Sequence, residues 1–321
     1  MEPGRASNPS PSSPKPTSCA CSPSLNLQRH PQRRTTPVDL HAHTTASDGS
    51  ASPEALLANA AAIGLSAVAV TDHDTVSGVA AATVAGAAHG VAVVPGVELS
   101  AVDDRNVEVH ILGLHLDDVS RIASSLTRFQ ADRVTRAEAI VAALNRGGVP
   151  VTMEAVMAEA GPGAVGRPHV ARALVAGGWV RDLREAFDRW LGAERPAYVE
   201  KPRLEIADAI KLIHDAGGVA IWAHPGRDGT RQRVEAMVAF GLDGVEVSHP
   251  GHSMDDMNRL NALARHRDLL RSGGSDWHGA TDGPRVLGVM KVPDDWNEAQ
   301  AARATRYRPA DVWRSPAESR S

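Results

Sequence analysis

The chain has 321 residues, 42% of them hydrophobic and 3% aromatic, with a formal net charge of −4. That much apolar sequence supports a real core and excludes a disordered chain, and the scarcity of aromatic residues points to small aliphatic layers of the kind that fill helix-wrapped parallel sheets. The charge is uneven: one acid and five bases before Val38 make a local +4 and leave −8 on the rest, and an acidic body excludes a broad nucleic-acid-coating surface.

The stretch 1–35 is rich in Pro and Ser and reads as a disordered leader or a start-site artefact. The only cysteines, Cys19 and Cys21, fall in it, too close together for an ordinary structural disulfide and too few for a zinc module. The sequence holds no apolar run long enough to span a bilayer and no signal-peptide pattern, so the expected location is cytoplasmic and no membrane partner is expected.

From Thr36 onward short apolar runs alternate with helical patterns, the signature of repeated βα units. Pro37 to Leu40 predicts a strand running into His41, followed by a helix with Ser52 as N-cap, Pro53 in its first turn and Gly64 closing it. Ala67 to Val70 predicts the next strand, ending at Thr71-Asp72-His73, and further strands are expected at Val91–Val94, Val107–Leu112, Val219–Trp222, Gly244–Val247 and Leu269–Ser272. The first part of a barrel thus covers 36–115 and the second 205–292. Between them, 116–204 reads as a helical insertion that caps the pocket, with helical patterns at Arg121–Asn145, Met153–Ala160 and Leu183–Leu191; the tail 293–321 reads as weakly structured.

Polar residues follow several of the strand-like runs: His41 and His43, Asp72 and His73, Glu98, His224, His249, then Asp276 and His278. In a parallel barrel the carboxyl ends of the strands converge on one face, which would bring these residues around a single pocket. His41 and His43 point the same way because alternate residues of an extended chain share a face. A metal-activated hydrolase needs such neutral imidazoles and ionised carboxylates on rigid strand ends. Asp39, Asp72 and Asp74 are placed to accept from the far N–H of a ligating imidazole, or to cap a turn. His89, His115, His214 and His266 lack matching partners and read as structural or surface residues.

The series Asp39-Leu40-His41-Ala42-His43, Ser47-Asp48-Gly49, Thr71-Asp72-His73-Asp74, Gly96-Val97-Glu98-Leu99-Ser100, Glu108-Val109-His110, Ala223-His224-Pro225 and Ser275-Asp276-Trp277-His278-Gly279 resembles the PHP (polymerase and histidinol phosphatase) family. Its nearest branch holds the nucleoside 3′,5′-bisphosphate phosphatases and the related 5′→3′ exoribonuclease. The resemblance implies a distorted (β/α)7 barrel with three divalent ions, usually Mn²⁺, with Zn²⁺ or Fe²⁺ as alternatives. It implies that His41, His43, Glu98 and Asp276 hold one ion, that Asp48, His73 and His278 hold a second, and that Glu98 bridges to a third bound by His110 and His224.

Arg133 and Arg136 lie at i, i+3 on one helical face and Arg167 lies in Gly166-Arg167-Pro168-His169. Guanidinium forks suit phosphate oxygens, and similar elements in this branch are linked with substrate phosphate; periodicity alone allows a solvated helix with ion pairs to Asp132 or Glu138. Glu98 and Asp276 are the expected catalytic carboxylates, and His249 is a candidate for contact with substrate. The implied activity is hydrolysis of nucleotide phosphate esters by a metal-bridging hydroxide, on a nucleoside 3′,5′-bisphosphate or on short 5′-phosphorylated RNA. No obligate protein partner is evident. A histidinol-phosphate phosphatase fits less well because of the arginine-bearing insertion, and an amidohydrolase because of Glu98 and the Asp276-x-His278 ending.

Overall fold

The computed structural model describes residue 1 and residues 36–308, apart from 104, 106, 162–164 and 201–203. The leader and its two cysteines lie outside the described residues. Eight strands form one sheet in the order β7-β6-β5-β4-β3-β2-β1-β8. They are β1 (Pro37–Asp39), β2 (Ala67–Val70), β3 (Ala92–Val102), β4 (Glu108–Leu114), β5 (Val219–Trp222), β6 (Gly244–Ser248), β7 (Leu270–Gly273) and β8 (Val292–Pro293). The sheet curls until its ends meet, where Leu40 N donates to Gly273 O at 3.1 Å, His43 N to Trp277 O at 2.8 Å and Asp276 N to His41 O at 2.9 Å. This is a distorted barrel of the expected kind.

Helices wrap the parallel strands. The first, α1 (Pro53–Ala62), starts as predicted, with the Ser52 side chain accepting from Ala55 N and Pro53 in the first turn; α2 (Val79–His89) links β2 to β3. The barrel interior is filled by small and medium aliphatic side chains, among them Val38, Leu40, Ala67, Ala69, Leu112, Leu114, Ile221 and Ala223. The scarcity of aromatic residues in the sequence matches this filling.

Two strands depart from the parallel reading: the short β8 pairs antiparallel with β1, and β4 departs in the middle of the sheet. β4 runs antiparallel to both β3 and β5, with Ser100 opposite His110 and Glu98 opposite Leu112. Reversal exchanges its ends: the start of β4, carrying His110, lies with the carboxyl ends of the other strands, while His115 just beyond its end falls at the opposite rim. β3 is also longer than expected, and its added part, Gly96 to Val102, is the length that pairs with β4.

Between β4 and β5 come α3 (Val119–Arg146), α4 (Met153–Ala160), α5 (Arg167–Ala176) and α6 (Leu183–Ala186), the last continued by a π-helical turn, Phe187–Leu191. They enclose a core of their own, built from Ile140, Leu144, Val156, Val170, Leu174 and Leu191 among others. After α7 (Ile206–Asp215), α8 (Arg231–Ala239) and α9 (Met254–His266), the chain ends its described part in α10 (Asp294–Ala304). The weakly structured tail expected after Val292 is corrected over this span. Gln300 and Ala304 are fully buried, Gln300 Nε2 donates to Arg271 O at 2.8 Å, and Trp296 and Tyr307 pack against the barrel core. The sparse, alanine-rich apolar pattern hid a helix whose inward face carries one large apolar residue, Trp296, and otherwise small and polar side chains. A charge at Ala304 is therefore expected to cost about 3 kcal/mol or more. Ala304→Arg should lower the midpoint of thermal unfolding sharply, whereas Ala302→Arg on the exposed face should leave it nearly unchanged.

Candidate metal centre

The centre is organised around one carboxylate. Glu98 sits on β3, 1% exposed, and its two oxygens divide the surrounding imidazoles between them. Oε2 lies 3.2 Å from His41 Nε2, 3.1 Å from His43 Nε2 and 3.3 Å from His73 Nδ1. Oε1 lies 2.9 Å from His110 Nδ1 and 3.0 Å from His224 Nε2, and those two nitrogens are 3.2 Å apart. Burial alone would favour the neutral acid, but the imidazoles of His73, His110 and His41 hold its pKa well below the ordinary glutamate value.

Neighbouring turns bring in the other groups. Asp276, at the end of the barrel after β7, faces His41 and His43 with Oδ1, at 3.5 and 3.3 Å. Asp48 reaches His278 Nε2 at 3.2 Å, His43 Nδ1 at 3.8 Å and His73 Nε2 at 4.0 Å. Two of these residues adopt left-handed backbone, His224 at φ 32° and Asp276 at φ 52°, a conformation non-glycine residues hold only where surrounding structure enforces it. Close packing against β1 also restricts Gly274, where an added Cβ would lie 2.5 Å from both the nitrogen and Cβ of His41.

The donors separate into sets that fit divalent ions. His41, His43, Glu98 and Asp276 converge fully buried; His43, Asp48, His73 and His278 form a second group; His73, Glu98 and His110 form a third, which His224 joins through Glu98 Oε1. An ion bound at about 2.1 Å would hold adjacent ligand atoms about 3.0–3.4 Å apart, from octahedral to tetrahedral geometry. Most spacings within the first and third groups fall in or next to that range. Nδ1 of both His43 and His73 is buried without a hydrogen-bond partner, as a lone pair reserved for an ion would be. His43 lies between the first and second groups, whereas the sequence reading assigned it to the first alone.

Carboxylates outside these groups orient the rings. Glu246, fully buried on β6, meets His41 Nδ1 at 3.1 Å with one oxygen and accepts from His224 N at 2.6 Å with the other. Glu108 Oε1 stands 3.4 Å from His110 Nε2, and the carbonyl of Asp276 lies 2.9 Å from His278 Nδ1. For Asp39, Asp72 and Asp74 the sequence left open ring orientation or the capping of a turn, and for the first two it is the turn. Asp39 accepts from the amides of His41, Ser275 and Gly288, and Asp72 from Thr44 and Ser47, so both spend their oxygens stapling turns. Asp74 accepts from Ser100 N at 2.9 Å and from Arg133. Glu246 was legible only as an acid inside an otherwise buried run, Gly244 to Ser248, where a charge requires a partner.

Two cavities open beside the cluster. The larger, about 440 Å³, is lined by His224, His249, His252, Asp276 and Arg285 among others; the smaller, about 200 Å³, contains Arg133, Arg136, Arg167 and Phe187; both reach His73 and His110. Arg133 pairs with Asp74 on the barrel, not with a neighbour on its own helix, Nε lying 3.0 Å from the carboxylate. Arg136 donates from Nε to Val199 O at 2.8 Å, while its buried Nη2 has no partner; burial and the nearby Arg167 push its pKa down to about 10. Arg167 spans Phe187 and Tyr198, 5.9 and 5.8 Å from the ring centroids. His249 uses both ring nitrogens, Nδ1 accepting from Gly251 N at 3.0 Å and Nε2 lying 3.4 Å from Asp276 Oδ2. His169 caps its own helix through Gly166 N, and His214 pairs with Asp243 at 2.8 Å.

A barrel whose strand ends present this density of imidazole and carboxylate, with no thiolate among the donors, defines a metal-dependent hydrolase. The chain belongs to the PHP domain family, whose model matches residues 39–200. It is 36% identical over 286 residues to the 3′,5′-nucleoside bisphosphate phosphatase of Chromobacterium violaceum, covering 85% of this chain and 99% of that protein. It is 37% identical over 248 residues to a 5′-3′ exoribonuclease of Escherichia coli, covering 75% of this chain and 84% of the relative. A solved structure from Bifidobacterium adolescentis, classed as a metal-dependent phosphoesterase, superposes with a TM-score of 0.76 at 35% identity, covering 84% of this chain and 96% of that one. A Chromobacterium violaceum structure described as an amidohydrolase, with bound sulfate and no metal, superposes with a TM-score of 0.73 at 33% identity, covering 86% and 99%. The protein is a metal-dependent phosphoesterase, a hydrolase of phosphoric ester bonds.

Because Glu246 meets the far nitrogen of His41, Glu246→Gln is expected to weaken metal binding about 10- to 100-fold with the fold retained, measured by titrating metal into the stripped protein and by circular dichroism. A second expectation concerns protons. Although burial opposes the charged form, the carboxylates of Asp276 and Glu98 raise His43 to about 10, and Glu98 and Glu108 raise His110 to about 9. Without metal both rings carry their protons at neutral pH, and an ion must displace them. Metal affinity should therefore rise from pH 6 to pH 8, with proton release detectable by calorimetry in buffers of different ionisation enthalpy.

Proposed function

We propose that this chain removes the 3′-phosphate of nucleoside 3′,5′-bisphosphates. The observation that carries the reading is the three-arginine pocket beside the donor cluster: a charged recess for a phosphate that is not being hydrolysed, sharing His73 and His110 with the larger cavity. The resemblance in sequence to the Chromobacterium violaceum bisphosphate phosphatase over nearly that protein's whole length supports it.

In this reading His41, His43, Glu98 and Asp276 hold one ion, Asp48, His73 and His278 a second, and Glu98, His110 and His224 a third, with His43 at the edge of the second group. The all-N/O donor set suits Mn²⁺, and also Zn²⁺ or Fe²⁺. When bound, the ions supply Lewis acidity and lower the pKa of water enough for a nucleophile at neutral pH. The chain's own residues do the rest. Arg136, with an unpartnered buried Nη2, and Arg167 grip the second phosphate and so convert remote binding energy into alignment of the scissile ester. Arg133 is committed to Asp74 and steadies the pocket wall. His249 holds Asp276 Oδ2 and is a positioning residue, not an acid or base.

The 116–204 insertion acts as the substrate cap, its arginines facing the barrel mouth. Short 5′-phosphorylated RNA is the competing substrate, since the same pocket would accept a 5′-phosphate. No described helix is long and apolar enough to cross a membrane, and the proposed partners are nucleotides in cytoplasmic solution.

Phosphate release from adenosine 3′,5′-bisphosphate by the Mn²⁺-loaded protein, run beside 5′-phosphorylated and 5′-hydroxyl RNA, tests this. The expected result is fast release from the bisphosphate and slow shortening of RNA; stepwise mononucleotide release from the 5′-phosphorylated RNA alone would replace the phosphatase reading with an exoribonuclease. Arg136→Gln should raise KM for the bisphosphate about 10- to 100-fold and change that for adenosine 3′-monophosphate little, since a charge-assisted hydrogen bond to a phosphate contributes about 1.5–3 kcal/mol.

A further inference from the structure

Asp276 presents two different faces. Oδ1 looks inward to His41 and His43, whereas Oδ2 looks toward the larger cavity, where it meets His249 Nε2 at 3.4 Å and Nη1 of Arg285. Arg285 belongs to the irregular segment between β7 and β8, outside every motif that carries the family resemblance. Its side chain is 48% exposed, and it is the one Arg or Lys among the residues lining that cavity. Arg133, Arg136 and Arg167 all line the smaller cavity instead.

A guanidinium carries five N–H donors in a fixed fork, and among the described residues only Nη1 of Arg285 has a protein partner. The rest of the fork is solvated at the mouth of a cavity whose other walls are imidazoles, glycines and the Glu98 and Asp276 carboxylates. A phosphoryl group entering there meets no other Arg or Lys among the described residues that line the cavity. An arginine half open to solvent can keep Nη1 on the buried Asp276 carboxylate and turn the rest of its fork to an incoming anion, so that the ion pair need not be given up.

We propose that Arg285 is a substrate-binding residue that clamps the phosphoryl group undergoing hydrolysis, with Asp276 Oδ2 as its resting partner. The proposal rests on the phosphomonoesterase reading above. The molecule then has two arginine sites with separate duties: Arg136 and Arg167 recognise the phosphate that stays, and Arg285 the phosphate that leaves. The alternative is that Arg285 merely fixes the rotamer of Asp276.

The test compares Arg285→Gln and Arg285→Lys with the parent. For a clamp, Arg285→Gln lowers kcat/KM about 10- to 100-fold, by the same factor for adenosine 3′-monophosphate and for the 3′,5′-bisphosphate, with partial recovery in Arg285→Lys. Mn²⁺ affinity stays within about threefold. Calorimetry with inorganic phosphate on the Mn²⁺-loaded protein, in an Arg136→Gln background that weakens the other pocket, shows phosphate affinity falling at least about tenfold on removal of Arg285. Unchanged phosphate affinity overturns the proposal, and weakened Mn²⁺ binding alongside it assigns Arg285 to positioning Asp276. Should the parent hydrolyse neither nucleotide, the phosphatase reading fails by itself, while the phosphate titration still decides for or against the clamp.

Discussion

The buried carboxylate of Glu98 is the constraint on which the rest of the site depends. A lone ionised acid at this depth would cost far more than a domain's net stability, so its surroundings must supply positive charge or give up the charge altogether. Five imidazole nitrogens stand within 3.3 Å of its two oxygens. None of those imidazoles is adjacent in sequence to Glu98; they come from the ends of β1 and β2, from the start of β4 and from the end of β5. Bringing them together requires the closed barrel, and the barrel in turn is tied at its seam by the same segments that carry His41, His43 and Asp276. Fold and site are therefore one mechanical unit, in which the hydrogen bonds that close the sheet also set the ligand positions.

Around that unit the protein separates charge by function. Acids next to the cluster fall into two kinds: those that face its interior, Glu98, Asp276 and Asp48, and those that hold rings or turns from behind, Glu246, Glu108, Asp39 and Asp72. Cations are kept at the rims of the two cavities, with Arg133, Arg136 and Arg167 in one and Arg285 in the other. Under the proposed assignment an anionic substrate would meet positive charge at the entrances and bound metal at the centre, and among the described residues the clustered carboxylates are free of arginine contacts save at Asp276 Oδ2.

The helical insertion is built differently from the barrel. Most of its core is separate, although Ile122 and Leu126 at the start of α3 join the barrel's own cluster, and its ties with the barrel at the site are polar: Arg133 to Asp74, Arg167 to Glu108, and Arg172 to the carbonyl of Asp48. Polar ties of this kind hold position yet are individually weak when partly solvated, which is compatible with the proposed role as a substrate cap. The π-helical turn at Phe187–Leu191 places Phe187 against the same pocket and offers Leu191 O to Arg167.

By itself the sequence determined the class of fold, the start and cap of α1, the run of βα units and the identities of all the residues that converge on Glu98. His41, His43, His73 and His224 were legible because strand ends in a barrel carry its polar residues, whereas His110, inside an expected strand, was indicated only by the family resemblance. Only the tertiary structure decided the reversal of β4, since an antiparallel strand has the same residue pattern as a parallel one; that reversal delivers His110 to the site and sends His115 to the opposite rim. It also decided which acids orient rings, because Glu246 lies 205 residues from His41 in the chain and no spacing rule links them. It turned the apparently loose tail into α10, whose inward face has Trp296 as its one large apolar residue, and it separated the arginines, with Arg133 paired to Asp74, Arg136 unpartnered at Nη2 and Arg285 at the larger cavity. Residue type is written locally, but the partner that gives a charge its role is chosen by the way distant strands close on one another.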